Sequence, residues 1–230
     1  MPTERPAWAG SVTAVRTAAP HLVLTFDDGP EPGGTDKVLA ALDDADATAT
    51  FFILVSRARR FPGLLADVVA SRHQIGLHGL DHRRLTQLGP DVVRQRTADA
   101  KAELEDLTGR QIDWCRPPYG AQNRETWHAL TSCDLVPVLW GPTLQDWLHL
   151  SNQERIEHAQ LGAEAGSILL AHDGFAGPED GAHDGPAPVF DRGELVRDLL
   201  QRYAERGLVG RSLADALVDG TQLREERFPL

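Results

Sequence analysis

The chain has 230 residues, 41% of them hydrophobic and 25% charged, which suits one domain with a sizeable core. Its formal net charge of -11 lacks the basic excess of a nucleic-acid-binding protein and argues against adhesion to anionic membranes. Two cysteines, Cys115 and Cys133, are too few for a disulfide framework or a cysteine metal site, and are expected to be small buried residues.

The opening residues, Met1-Pro2-Thr3-Glu4-Arg5-Pro6, lead into no apolar run of signal-peptide length, and no segment is long enough to span a bilayer. The cytoplasm is therefore the expected location. Leu22 to Phe26 reads as a buried strand, and a helix follows from Thr35 to Asp44. Thr48 to Val55 is a second strand, with Pro62 placed to start a helix through Val69. Gln74 to Leu77 is a third strand, and Pro90 opens a long helix that Gly109 ends.

The alternation continues. Ile112 to Cys115 is strand-like, Asn123 can cap a helix to Leu130, and Leu135 to Trp140 is another strand. Ser151 with Glu154 makes a capping box for a helix running to near Gly166, before a strand from Ser167 to Ala171. Asp191 with Glu194 starts a helix closed by Gly207, Leu208-Val209 is a last short strand, and Ser212 with Asp215 caps a final helix. About seven strand-then-helix units imply a parallel sheet, because parallel strands need crossover helices, and closure into a barrel is the natural solution at this length. The expected organisation is an extension over 1–20, one α/β domain over 21–220 and a tail over 221–230.

Each chemically suggestive cluster follows one of these strands: Asp27-Asp28, His78 with His82, Arg116 to Tyr119, Asp146-Trp147, and His172. In barrels of this kind the carboxyl ends of the strands share one face, so clusters distant in sequence converge there. Two adjacent carboxylates repel unless a cation lies beside them. His78 and His82, four residues apart, can meet at one metal within a single turn; with a carboxylate they form a His-His-Asp set that leaves positions open for water. Two surface histidines are the plain alternative. Zinc suits these ligands, and cobalt, nickel, manganese or iron can also occupy such a set.

Arg116 stands directly before Pro117-Pro118, which stiffen the turn. An aimed guanidinium would hold Asp27 ionised and oriented, as a general base requires, where a solvated arginine would do nothing. His172 emerges from the apolar run Ile168-Leu169-Leu170-Ala171 and is the candidate general acid opposite Asp27, with Asp146 as its orienting carboxylate and Trp147 as a pocket wall. His21, His73, His128, His149, His158 and His183 have no such placement and read as structural or exposed. The acidic stretch Glu179 to Asp184 reads as a solvated excursion that can border a substrate groove.

From His21 to Leu217, Thr25-Phe26-Asp27-Asp28-Gly29-Pro30, His78-x-x-x-His82, Arg116-Pro117-Pro118-Tyr119-Gly120, Asp146-Trp147 and Leu170-Ala171-His172 occur in the order of one family's motifs. The chain resembles the polysaccharide deacetylases of carbohydrate esterase family four. The resemblance implies a distorted (β/α)7 barrel of parallel strands, with Asp27 as base and Asp28, His78 and His82 as metal ligands. It further implies that Arg116 holds Asp27, that Tyr119 donates its backbone N–H to the oxyanion, that Asp146 tunes His172, and that Trp147 and Leu170 line the acetyl pocket. Two positions depart from the pattern: Gly79 replaces the usual Ser or Thr after the first metal histidine, and Thr143 replaces a frequent acidic residue. The expected activity is hydrolysis of N-acetyl groups from a carbohydrate partner. An O-acetyl esterase on xylan, a sugar deformylase, or a non-catalytic sugar-binding barrel are the rivals, the last expected to lack Asp27 or His172.

Overall fold

The computed structural model describes residues 10–228. In chain order the regular elements are β1 (Ser11–Arg16), β2 (His21–Asp27), α1 (Thr35–Asp44), β3 (Thr50–Leu54), α2 (Val55–Arg60), α3 (Pro62–Ala70), β4 (Gln74–Gly79), α4 (Pro90–Thr108) and β5 (Trp114–Cys115). There follow α5 (Arg124–Thr131), β6 (Val136–Pro137), α6 (Asn152–Gln160), β7 (Ile168–His172), α7 (Arg192–Glu205), β8 (Val209–Arg211), α8 (Leu213–Ala216) and β9 (Thr221–Glu225). The expected side-chain caps form: Asn123 accepts from the Thr126 N–H, Asp191 from Glu194 and Ser212 from Asp215, and Ser151 with Glu154 completes a capping box.

The main sheet runs β6-β5-β4-β3-β2-β7, with β8 also beside β2, and every pairing in it is parallel. Beyond β6 the ladder lapses into an irregular seam, and Pro137 has no N–H to offer it. The chain nonetheless continues alongside β7, where Gly141 donates to the Ile168 carbonyl at 2.9 Å and Leu144 to the Leu170 carbonyl at 3.1 Å. That seam closes the ring, and its irregularity is why the barrel is distorted.

Strand side chains alternate, and the alternation sorts the residues. Leu22, Leu24 and Phe26 of β2, Phe51 and Ile53 of β3, and Leu169 and Ala171 of β7 pack against the helices in the larger core. Val23, Phe52 and Ile168 face the opposite way and meet Val12, Val15, Val138 and Leu213 in a second core inside the ring. Continued upward, the inward rows reach Asp27 on β2 and His172 on β7, which are register partners.

Three differences from the sequence-based expectation have physical causes. The helix expected to reach Gly166 ends at Gln160, because the residues after it turn back towards β7 through Gly162 and Gly166 at positive φ. The unexpected α2 follows β3 without a loop. Residues in the stretches assigned to an extension and a tail form β1 and β9, which pair antiparallel from Ser11 with Glu225 to Arg16 with Thr221. Residues 1–9 and 229–230 of those stretches lie outside the described residues. No helix among the described residues is long and apolar enough to cross a membrane.

Candidate active site

Arg116 leaves β5 pointing into the ring and is fully enclosed. One guanidinium nitrogen, Nη1, donates to Asp27 Oδ1 at 2.7 Å and to Thr25 Oγ1 at 2.8 Å, while Nε donates to the Val138 carbonyl at 3.2 Å. Its plane lies over the Phe52 ring, 4.3 Å from the centroid. Burial works against the charge and lowers the Arg116 pKa, with Asp27 opposing that shift. The remaining nitrogen, Nη2, is buried without a hydrogen-bond partner among the described residues. Thr143 lies in the seam, in a parallel bridge with Leu170.

Across the mouth of the ring, His172 is held by Asp146 through two contacts. Its backbone N–H donates to Asp146 Oδ2 at 2.8 Å, and its Nδ1 lies 2.7 Å from Oδ1. Burial alone would lower the imidazole pKa. The Asp146 charge and hydrogen bond outweigh it, with help from Asp28 and Asp27, and raise it to about 9. His172 is therefore protonated at neutral pH, and Nε2 is left to face the cleft. Trp147 packs edge-on against it, with centroids 5.5 Å apart.

Between these two lie Asp28, His78 and His82, all buried, with ligand atoms that fall within 4.8 Å of one another. Asp28 Oδ1 is 3.3 Å from Nε2 of both histidines, yet no hydrogen-bond donor among the described residues satisfies it. The Nδ1 of His78 is 2.9 Å from the Arg116 carbonyl, which fixes the tautomer that leaves Nε2 free to ligate. Burial drives the His82 pKa down to about 4, so that ring is neutral as a ligand must be. Burial opposes ionisation of Asp28, but the nearby His82, His78 and His172 hold it well below the usual carboxylate range. An orphaned buried carboxylate oxygen facing two imidazole nitrogens is a donor set that fits a divalent transition metal.

Gly79 follows His78 with φ +131°, a conformation that L side chains rarely adopt, and a Cβ there would come 3.0 Å from the Asp81 carbonyl. The departure from Ser or Thr thus matches this backbone. Tyr119 also takes positive φ, 63°, at the tip of the Arg116 turn, and its ring lies 4.3 Å from that of His82.

The cleft above these groups has a volume of about 410 Å³. Trp140, Trp147, Leu148, Leu170 and Phe175 make its apolar walls, and Arg84 and Asp184 stand at its lip. The structure therefore brings together every one of the expected site residues: Asp27, Asp28, His78, His82, Arg116, Tyr119, Asp146, Trp147, Leu170 and His172. Of the histidines set aside, none lines the cleft.

Sequence reasoning missed two buried carboxylates. Asp173 accepts from the Gly29 N–H at 3.2 Å and the Thr35 hydroxyl at 2.5 Å, and burial raises its pKa to about 7. It braces the turn after Asp28, where a Cβ on Gly29 would fall 2.0 Å from its carboxylate. Its position next to His172 was the available signal. Asp180, in the stretch expected to be solvated, is completely buried, whereas Asp184 does border the cleft.

The chain belongs to the polysaccharide deacetylase family, whose sequence model matches residues 14–138. That span holds Asp27, Asp28, His78, His82, Arg116 and Tyr119 but ends before Asp146 and His172. The chain is 30% identical over 199 residues to a chitooligosaccharide deacetylase of Sinorhizobium fredii, covering 86% of this chain and 92% of that one. It is 33% identical over 153 residues to the peptidoglycan-N-acetylglucosamine deacetylase PgdA of Listeria monocytogenes, which is 66% of this chain but only 32% of that protein's length. Among solved structures, the Bc1960 peptidoglycan N-acetylglucosamine deacetylase superposes with a TM-score of 0.78 over 90% of this chain and 92% of that one, at 23% identity. This likeness supports the distorted-barrel fold.

Proposed function

We propose that this protein removes N-acetyl groups from amino-sugar oligo- or polysaccharides of the chitooligosaccharide or peptidoglycan type, releasing acetate, with a divalent metal at Asp28, His78 and His82. Zinc is the ion we assign, because two imidazoles and one carboxylate are its usual catalytic ligands. The observation that carries the reading is the opposition of two titratable groups across that triad. Asp27 is paired with a buried guanidinium at 2.7 Å, and His172 is paired with a carboxylate at 2.7 Å and has its pKa raised to about 9. A carboxylate base fastened to a guanidinium and an acid kept protonated, facing one cleft, is the division of labour that amide hydrolysis needs.

When bound, the metal would supply Lewis acidity, polarising the acetyl carbonyl and bringing the pKa of water toward ~7. Asp27 takes the proton of the attacking water while Arg116 holds the other carboxylate oxygen. The Tyr119 N–H donates to the developing oxyanion, a contribution of ~3 kcal/mol for one such donor. His172 gives its proton to the departing nitrogen, so that the amine leaves rather than the water. Trp147 and Leu170 enclose the acetyl methyl, and the aromatic walls offer stacking surfaces for sugar rings.

The test is acetate release from N-acetylated chitooligosaccharides and peptidoglycan fragments by the zinc-loaded protein, with acetylated xylan and a formylated sugar in parallel. Release from the first pair and not the second is the expected result. Acetate from xylan alone would make the protein an O-acetyl esterase, and binding without any release would make it a sugar-binding barrel.

A further inference from the structure

The loop that follows β7 passes beneath the candidate metal triad and holds two of its three residues from outside. The Asp180 carbonyl accepts the His82 N–H at 2.7 Å, and the Ala176 N–H donates to Asp28 Oδ2 at 3.1 Å. What holds the loop itself is a cluster of buried charge. Asp180 Oδ2 accepts from Arg57 Nε at 2.8 Å, and Oδ1 accepts from Ser56 Oγ at 2.8 Å and from Arg60 at 2.9 Å. The other end of the Arg57 guanidinium donates to the Phe175 carbonyl at 2.5 Å and reaches the Glu31 carboxylate at 3.1 Å, three residues past Asp28. Arg57 is only 2% exposed, and α2, which carries it, follows directly from β3.

Arg57 thus joins the turn after Asp28, the loop after β7 and, through Asp180, the backbone of His82. The contact leaves no slack: a Cβ added at Gly174 would lie 2.9 Å from both the Arg57 guanidinium and the Asp28 carbonyl. Support of this kind matters here because one ligand sits on unfavourable backbone: Asp28, a residue with a side chain, has φ +74°. Such conformations persist only where surrounding structure over-determines them.

We propose that Arg57 and Asp180 are positioning residues for the metal site: their buried ion pair fixes where Asp28 and His82 present their ligand atoms, and so sets the affinity and geometry with which a divalent transition cation is held. The inference rests on the metal reading above. It goes further by assigning metal affinity to a pair that touches neither the metal ligands' side chains nor the cleft.

The experiment uses the full chain stripped of metal, titrated with Zn²⁺ against a chromophoric chelator, and the visible spectrum of its Co²⁺ form. Wild type must take up one equivalent of Zn²⁺; failure there overturns the metal reading and this inference together. With wild type binding, Asp180→Asn and Arg57→Lys are expected to lose Zn²⁺ affinity by about 10–100-fold, the range for removed supporting partners. At saturating Co²⁺ their spectra should differ from wild type in band position or intensity. A purely structural pair would lower the melting temperature of the metal-free protein yet leave affinity and spectrum unchanged at low temperature, which would overturn the proposal alone. Should the buried substitutions fail to fold, Ser56→Ala and Arg60→Gln each remove one anchor of Asp180 without stranding Arg57. A smaller affinity loss with a shifted Co²⁺ spectrum supports the inference, and wild-type behaviour in both overturns it.

Discussion

The two sides of the cleft solve opposite electrostatic problems with unequal redundancy. On the base side, the cation that holds Asp27 is itself fastened by Thr25, the Val138 carbonyl and the Phe52 ring. On the acid side, the hydrogen bonds of His172 to the described residues go to a single group, the Asp146 carboxylate, which takes both Nδ1 and the backbone N–H, with the Trp147 edge beside the ring. The base side should therefore tolerate loss of one anchor. The acid side should not. The comparison is open to attack from both ends.

The largest effect is expected from the two reacting groups themselves. Asp27→Asn should lower kcat by about 10³–10⁴-fold, and His172→Ala by about 10²–10⁴-fold, the span for a positioned base or acid. Zn²⁺ uptake should persist in both, measured by elemental analysis. The two separate on a substrate whose leaving group needs no proton, such as an aryl acetate. There the His172 variant should recover most of its rate and the Asp27 variant should not. Equal losses on both substrates would erase the proposed division of roles.

Next in size is Asp146→Asn. With the carboxylate neutralised, burial is opposed only by Asp28 and Asp27, and the His172 pKa should fall from about 9 toward its ordinary value of 6.5. In the metal-free protein this is read directly as the imidazole titration by NMR. The sign for stability follows from linkage. A histidine raised in the folded state contributes stability that is complete below 6.5 and lost as pH rises through about 9, and Asp146→Asn should abolish that alkaline loss. In the metal-loaded enzyme kcat should fall as pH rises through the His172 pKa, with the limb displaced to lower pH in the variant. Bound cation charge pushes the limb in the same direction, so wild type and variant must carry the same metal.

Both sides of the cleft were legible in the sequence and their support was not, for a physical reason. Asp27, Asp28 and Arg116 sit at strand ends in short runs, and strand alternation carries them to one face, so local pattern sufficed. His172 was legible in the same way. The barrel followed from seven repeats of strand then helix. Asp180 was not legible: it lies in a run with glycine and acidic neighbours, where a solvated loop is the ordinary outcome, and its burial depends on Arg57 and Arg60 from 120 or more positions earlier. Position 180 satisfies a long-range charge balance that no local pattern announces. β1 and β9 were missed for a related reason. Thr221 to Glu225 holds a single apolar residue, and its strand character comes from pairing with Ser11 to Arg16 rather than from its own sequence.

The smallest effect is the sharpest probe of redundancy. Thr25 Oγ1 accepts from Arg116 and donates to the Leu169 carbonyl at 2.5 Å, so it ties the base side to the strand that carries His172. Thr25→Val keeps the shape and removes both bonds, and chemical denaturation should show a loss of about 1–2 kcal/mol, as for buried hydrogen bonds left unmade. Because Asp27 and Val138 still hold the guanidinium, kcat should drop no more than about 5-fold, well short of Asp146→Asn. A Thr25 variant as impaired as the Asp146 variant would mean that Arg116 is not held redundantly. The double variant then decides whether the halves act together. If Thr25 serves only the base, its effect on kcat multiplies with that of Asp146→Asn, since separated sites without a shared partner combine additively in free energy. A departure from that product would show that β7 transmits strain from one side to the other.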